Sequence, residues 1–234
     1  MASTTSKSGF RQGVLAGLPF TVFAIPFALL FGVVAAEAGL DAAQAMGFSI
    51  VVIAGASQFT AVQLMTDNAP VWAVLAASLA VNLRMAMYSA SLQPHLGTLP
   101  LWQRAAVAYC NFDQSFAVSS ARYETAPEMP VAAKFGYFMG VVTPLLPLWL
   151  IFTWVGAVAG RAIPDWMQLD FAMPILFLAL VGPMLKSLAH VAAAITSVIV
   201  ALALAGLPSG TGVLIAGLAA MIVGAEVERR RGRA

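Results

Sequence analysis

Charge is what this sequence has least of. Of 234 residues only 22 are charged, 12 Lys or Arg and 10 Asp or Glu, which is 9%. A soluble domain carries roughly 25%. A soluble enzyme of this size would lack the polar surface to stay in solution, and a nucleic-acid binder would need a basic face. The net charge of +2 implies no polyanionic partner. Cysteine is nearly absent: Cys110 stands alone, so no internal disulfide can form. The two histidines, His95 and His190, lie far apart, and no Cys/His cluster has zinc spacing. No Gly-x-x-x-x-Gly-Lys-Ser/Thr loop occurs to cradle a phosphate. Ser57 follows Gly55, but Phe59 stands where a nucleophile elbow needs its second glycine. The sequence therefore implies no metal, no cofactor, no catalytic residue and no enzyme. Transport, if this is its work, must draw on a gradient or a separate subunit.

What is present is apolar: 61% of the residues are hydrophobic. That excludes a disordered chain. A helix needs about 20 apolar residues to cross roughly 30 Å of hydrocarbon. Without the alternation of a closed barrel, helices are the only way to pair every backbone group in lipid. The expected fold is all-α, a polytopic membrane bundle of about eight spans (seven or eight), several of them kinked or broken. Apolar runs place them near 13–36, 44–66, 70–92, 105–121, 135–160, 170–189, 191–206 and 211–226. Residues 1–12 form a cytoplasmic segment, 13–226 one transmembrane domain and 227–234 a basic cytoplasmic tail. Lys7 and Arg11 ahead of the first run imitate a signal peptide. The run is too long for one, and it reads as an uncleaved helix.

Prolines mark the expected irregularities. Pro19 and Pro26 should kink the first span, and Pro144 and Pro147 admit two half-helices in the fifth. Gly182-Pro183 interrupts the sixth, and Gly206-Leu207-Pro208 makes a tight turn after the seventh. With a cytoplasmic N-terminus and eight spans, nine basic residues fall inside: Lys7, Arg11, Arg122, Lys134, Lys186, Arg229, Arg230, Arg231 and Arg233. Only Arg104 and Arg161 fall outside. This is the bias of the positive-inside rule, and it favours an even count. An internal echo at an offset of 124 lays Phe31-Gly32-Val33-Val34-Ala35 over Val155-Gly156-Ala157-Val158-Ala159, and Asp41 over Asp165. It is either a duplicated half or a chance recurrence of Ala, Gly and Val.

Function is sought in polar groups at mid-depth. Ser57 and Gln58 lie near the centre of the second run, Asn82, Arg84, Tyr88 and Ser89 in the third, and Asn111, Asp113, Gln114 and Ser115 in the fourth. A charge at mid-bilayer costs ~2.5–3.5 kcal/mol on insertion scales, so Arg84 and Asp113 carry the strongest signal. Asp170 is a third candidate, or the cap of its helix. Asn82 and Arg84 are about 200° apart on a helix and cannot face one cavity. Arg84 shares a face with Tyr88, and Asn82 with Met85 and Ser89. On an unbroken helix Asp113 aligns with Tyr109, and Asn111 with Ser115. One member of each pair then binds a neighbouring helix, or the helix is broken there. Arg84 and Asp113 are assigned to an interior site, and Asn82 to hydrogen bonding between helices. The plainer alternatives are a structural Arg84–Asp113 pair joining two helices, and Ser57 and Gln58 as helix glue.

Those same residues carry a resemblance. Ala56-Ser57-Gln58-Phe59, Asn82-Leu83-Arg84-Met85-x-x-Tyr88-Ser89 and the stretch from Asn111 to Ala117 resemble the AzlC family, the large subunit of bacterial branched-chain amino acid exporters. The likeness runs from Gly13 to about Gly206. Two departures stand out: Met85 where members often have His, and Gln114 where they often have an acidic residue. The missing histidine weakens the case for proton antiport. The resemblance implies secondary-active export of Leu, Ile, Val and Met across the bacterial inner membrane, with a small AzlD-type membrane subunit as partner and no nucleic acid. The residues alone also admit an import permease or channel for small zwitterions, or a non-transporting scaffold. The implied substrate site gathers Ser57, Gln58, Asn82, Arg84, Tyr88, Asn111 and Asp113. There an amino acid would give its ammonium to Asp113 and its carboxylate to Arg84.

Overall fold

The computed structural model describes residues 6–160, 185, 187–206 and 211–231. Most of the expected sixth span, with Asp170, Gly182-Pro183 and Lys186, lies outside the described residues, as do Arg161, Asp165, Pro208 and Arg233. The chain divides into two compact units, Met1–Gln63 with Leu75–Ala162, and Leu64–Val74 with Ile163–Ala234. The described secondary structure is helical throughout.

The first unit is organised by glycine. Helix α1 (Ser6–Gly17) carries Gly9, Gly13 and Gly17, a four-residue repeat that keeps one face free of Cβ atoms. A 3-10 turn at Leu18–Phe20, set by Pro19, leads into α2 (Thr21–Glu37), which accommodates Pro26 inside. Alongside runs α8 (Val131–Gly160). A Cβ on Gly13 would stand 2.1 Å from the Tyr137 carbonyl oxygen, and one on Gly32 would stand 2.1 Å from that of Thr153. Backbones this close are possible only without side chains. Numbering rises together along both partners, so α1–α2 and α8 are parallel. Gly32 and Gly156, equivalent in the echo, touch each other. The 124-residue offset is thus also the register of packing.

Two corrections follow. Pro144 and Pro147 do not split α8, which is one 30-residue helix. The Thr143 hydroxyl bonds the Met139 carbonyl at 2.7 Å, and α1 braces the region by packing Gly17 against Val141 and Pro144. Residues 6–12, within the segment expected to be cytoplasmic, belong to α1.

The second correction concerns the second and fourth apolar runs. Run 44–66 is α3 (Ala42–Val51) and α4 (Gly55–Thr66), separated by a non-helical Val52-Ile53-Ala54. Gln58 Nε2 donates to Ser49 Oγ at 3.0 Å although nine residues separate them. On a straight helix nine residues span about 13.5 Å. The two legs therefore fold back on each other. Run 105–121 behaves alike: α6 (Leu101–Tyr109) and α7 (Asp113–Thr125) flank the break Cys110-Asn111-Phe112. Each leg covers about half a bilayer, and among the described residues three helices are long and apolar enough to cross one: Ser6–Glu37, Val71–Leu96 and Val131–Gly160.

Helix α5 (Val71–Leu96) fixes the directions. Its C-terminal His95 meets Lys134 at the start of α8, Nδ1 to Nζ 3.4 Å, so α5 runs antiparallel to α8. The α6–α7 hairpin rises from that same end, where Trp102 packs edge-on to Phe135 and Tyr123 OH donates to the Lys134 carbonyl at 2.8 Å. The α3–α4 hairpin enters from the opposite end, behind a capping box in which Asp41 and Gln44 exchange bonds of 2.8 Å. Arg104 consequently lies at the same end as Lys134, not at the other. In the second unit, α9 (Leu188–Ala203) and α10 (Thr211–Arg231) pack as a helical pair, with Gly224 against Ala193. Arg229 and Arg230 there both pair with Glu226 at 2.7 Å.

Candidate functional site

The breaks in the two hairpins meet. Tyr109, the last residue of α6, donates its hydroxyl to the carbonyl of Ile50 in the last turn of α3. Carbonyls at a helix C-terminus have no intrahelical partner, and this one is satisfied by the opposing hairpin. From His95 to Arg84 is 11 residues, or about 16 Å of helix, roughly half the hydrocarbon thickness. Arg84 on α5 therefore reaches the level of the breaks.

There it pairs with Asp113. Arg84 Nη2 stands 3.2 Å from Asp113 Oδ2, and Tyr88 OH donates to Asp113 Oδ1 at 2.9 Å. Arg84 and Tyr88, one turn apart on α5, converge on one carboxylate as their shared face requires. Asp113 is also the first residue of α7. A helix N-terminus carries positive partial charge, which attracts a negative side chain. Phe116, one turn on, stacks on Tyr88 with ring centroids 4.2 Å apart and planes 7° from parallel. The pair is not sealed. The Arg84 and Asp113 side chains keep 27% and 45% of their exposure, so neither charge bears the full desolvation cost of a buried pair.

Asn111 sits in the break and is buried. Its Nδ2 donates to Ser89 Oγ at 3.1 Å, while its Oδ1 is buried without a partner. The expected alignments of Asp113 with Tyr109 and Asn111 with Ser115 are lost, because the helix stops between them. Ser115 instead builds the start of α7. Its hydroxyl accepts from the Phe112 N–H at 3.0 Å and donates to the Cys110 carbonyl at 2.7 Å.

Ser57 and Gln58 form a second cluster inside the α3–α4 hairpin, both 1% exposed. Ser57 Oγ donates to the Ala54 carbonyl at 2.9 Å and closes the break. Gln58 reaches Ser49, which lies 3.1 Å from Thr153 Oγ1 on α8. Gln58 Oε1 is left buried without a partner. Gly55 starts α4 where any side chain would strike Phe27 and Trp149, at 2.5 and 2.9 Å. Asn82 joins neither cluster: its Oδ1 is buried with no partner, and the expected bond between helices is made by Ser89 instead. The seven expected residues thus divide into Arg84, Tyr88, Asn111 and Asp113 in one group, Ser57 and Gln58 in another, and Asn82 apart. Sequence reading missed Ser49, Thr153 and the Tyr109 tie. Among the described residues no group of His, Cys, Asp and Glu could hold a metal.

Interrupted helices are tolerated at membrane depth only where protein or a cavity covers their freed backbone. Two of them meeting beside an open ion pair is the architecture of a helical membrane protein suited to moving a solute. The chain belongs to the AzlC protein family, which matches residues 19–163. It is 29% identical to an uncharacterized membrane protein of Archaeoglobus fulgidus over 87% of this chain and 88% of that one. It is 24% identical to the inner membrane protein YgaZ of Escherichia coli K12, over 73% and 71%. A Helicobacter pylori membrane protein shares 26% over 65% of each chain. No solved structure matches.

Proposed function

We propose that this protein is the large subunit of a secondary-active exporter of branched-chain amino acids, Leu, Ile and Val with Met, acting with a small AzlD-type membrane subunit and without catalysis. The observation that carries this reading is the half-open Arg84–Asp113 pair at the breaks. A zwitterionic amino acid presents one ammonium and one carboxylate. It can exchange itself for the internal pair, giving its ammonium to Asp113 and its carboxylate to Arg84, with little net change in charge. Tyr88 holds the Asp113 carboxylate from the other side. The stacked Tyr88 and Phe116 rings give an aliphatic side chain an apolar wall.

The membrane is the bacterial cytoplasmic one, and both termini face the cytoplasm. Supporting this, Lys7, Arg11, Arg104, Arg122 and Lys134 cluster at the N-terminal end of α8, while Glu37 and Asp41 lie at the other. Positive residues stay inside. Counterflow of labelled Leu, Val, Ile and Met in proteoliposomes, with and without the co-expressed small subunit, tests the reading. Accumulation with the subunit is expected, and its absence for every amino acid would overturn the proposal.

A further inference from the structure

Away from the ion pair, a groove of about 470 Å³ opens along the outer side of α7 at the N-terminal end of the bundle. Its lining includes Phe20, Ala117, Ala121, Arg122, Thr125 and Tyr137. The polar lining is collected at one end. Arg122 donates from Nη2 to Gln12 Oε1 at 3.2 Å, and Tyr137 packs where Gly13 crosses α8. The other end, with Phe20 and Ala117, is apolar. From Ala117 to Thr125 is eight residues, about 12 Å of helix. That approaches the depth of one leaflet, about 15 Å of hydrocarbon.

One group in the groove is unspent. Arg122 Nε is buried with no hydrogen-bond partner, and no acidic side chain pairs with this guanidinium among the described residues. A guanidinium with a free N–H calls for an oxyanion, since Arg binds phosphate through parallel N–H bonds. An apolar trough one leaflet deep, below an unneutralised cation, has the form of a single amphiphile. Lys7 and Arg11 on neighbouring α1 add positive charge at the polar end.

We propose that this groove is a binding site for an anionic phospholipid of the surrounding leaflet, its phosphate on Arg122 and one acyl chain along Ala121 and Ala117. The site shares α7 with the Arg84–Asp113 pair but none of its residues. It therefore stands whether or not the chain exports amino acids.

The test is native mass spectrometry of the purified full chain with phosphatidylglycerol or phosphatidylcholine. Two variants address the two ends: Arg122→Gln removes the cation, and Ala121→Phe fills the trough. Ala121 is exposed, so the added ring displaces no packed neighbour. The expected result is a retained phosphatidylglycerol that phosphatidylcholine does not match, held at least about tenfold more weakly, or about 1.4 kcal/mol, by either variant. Equal retention of both lipids, unchanged binding in the two variants, or displacement of the lipid by inorganic phosphate would each overturn the assignment. Phosphatidylglycerol should also raise the melting temperature of the natural protein and not that of Ala121→Phe, because only a ligand of the folded state stabilises it.

Discussion

Tyr109 and Ile50 belong to different hairpins that enter from opposite ends, and the hydroxyl of one is bonded to the carbonyl of the other. The two broken helices are thereby locked tip to tip at mid-depth. A change that carries solute past this point has to part them or move them together. Tyr109→Phe removes only the hydroxyl. Since Tyr109 is half exposed, stability should fall by only about 0.5–1.5 kcal/mol, the net worth of one such bond. Valine counterflow should change far more than the melting temperature. A variant with unaltered turnover would show that the tie is structural alone.

Swapping the charges separates the two roles of Arg84 and Asp113. Arg84→Asp with Asp113→Arg restores an ion pair and should return folded protein to the membrane. It also places the cation at the N-terminus of α7, against the helix dipole, and reverses the polarity offered to a zwitterion. Transport should stay lost in the double variant and in Asp113→Asn, while size-exclusion profiles remain sharp. Recovery of efflux in the swapped protein would leave the pair a purely structural one.

The fold-back of α6 on α7 makes a topological prediction. In a Cys110→Ala background, Thr98→Cys and Glu128→Cys should react with an impermeant maleimide from the same side of the membrane, and Glu37→Cys from the other. A single crossing over 105–121 would put Thr98 and Glu128 on opposite sides. Labelling in intact cells against inverted vesicles decides between them.

Gly32 on α2 has no room for a side chain. In Gly32→Ala the new methyl would lie 2.1 Å from the Thr153 carbonyl and 2.5 Å from the Ala157 amide nitrogen, both backbone atoms. Neither can yield without separating α2 from α8. A loss above about 3 kcal/mol, beyond ordinary overpacking, is expected. It should be seen as a collapse in membrane-integrated yield, whereas Gly47→Ala, with open space around it, should express normally.

Lys134 is 6% exposed, and among the described residues no carboxylate pairs with it. It donates to the Pro127 carbonyl at 3.2 Å, approaches His95 Nδ1 at 3.4 Å and lies 5.7 Å from the centre of the Tyr123 ring. Lys134→Met keeps the stem and removes the bonds, and should lower stability by about 1–3 kcal/mol. Thermal melting of the purified protein checks it.

Arg84 and Asp113 were legible before any coordinates because a charge in an apolar run is costly wherever the helix ends up. The fold-backs were not. Residues 52–54 are Val-Ile-Ala and residues 110–112 are Cys-Asn-Phe. Neither break holds a proline or glycine, and hydropathy reads a half-depth hairpin and a full crossing alike. The prolines misled in the opposite direction at α8, where one uninterrupted helix runs through what the local sequence would break.

By itself, then, the amino-acid sequence determined the solvent, the helical class and the two charges at depth, since transfer free energy depends on composition residue by residue. Only the tertiary structure decided which apolar runs cross and which turn back, and with that the meeting of Tyr109 with Ile50 and of Arg84 with Asp113. Those choices rest on close approach between distant backbones at Gly13, Gly32 and Gly156, and on hydrogen bonds that satisfy a broken helix from outside it. The glycine spacing marks a face fit for close approach, but neither the partner of that face nor the hydrogen bonds can be read from the order of residues.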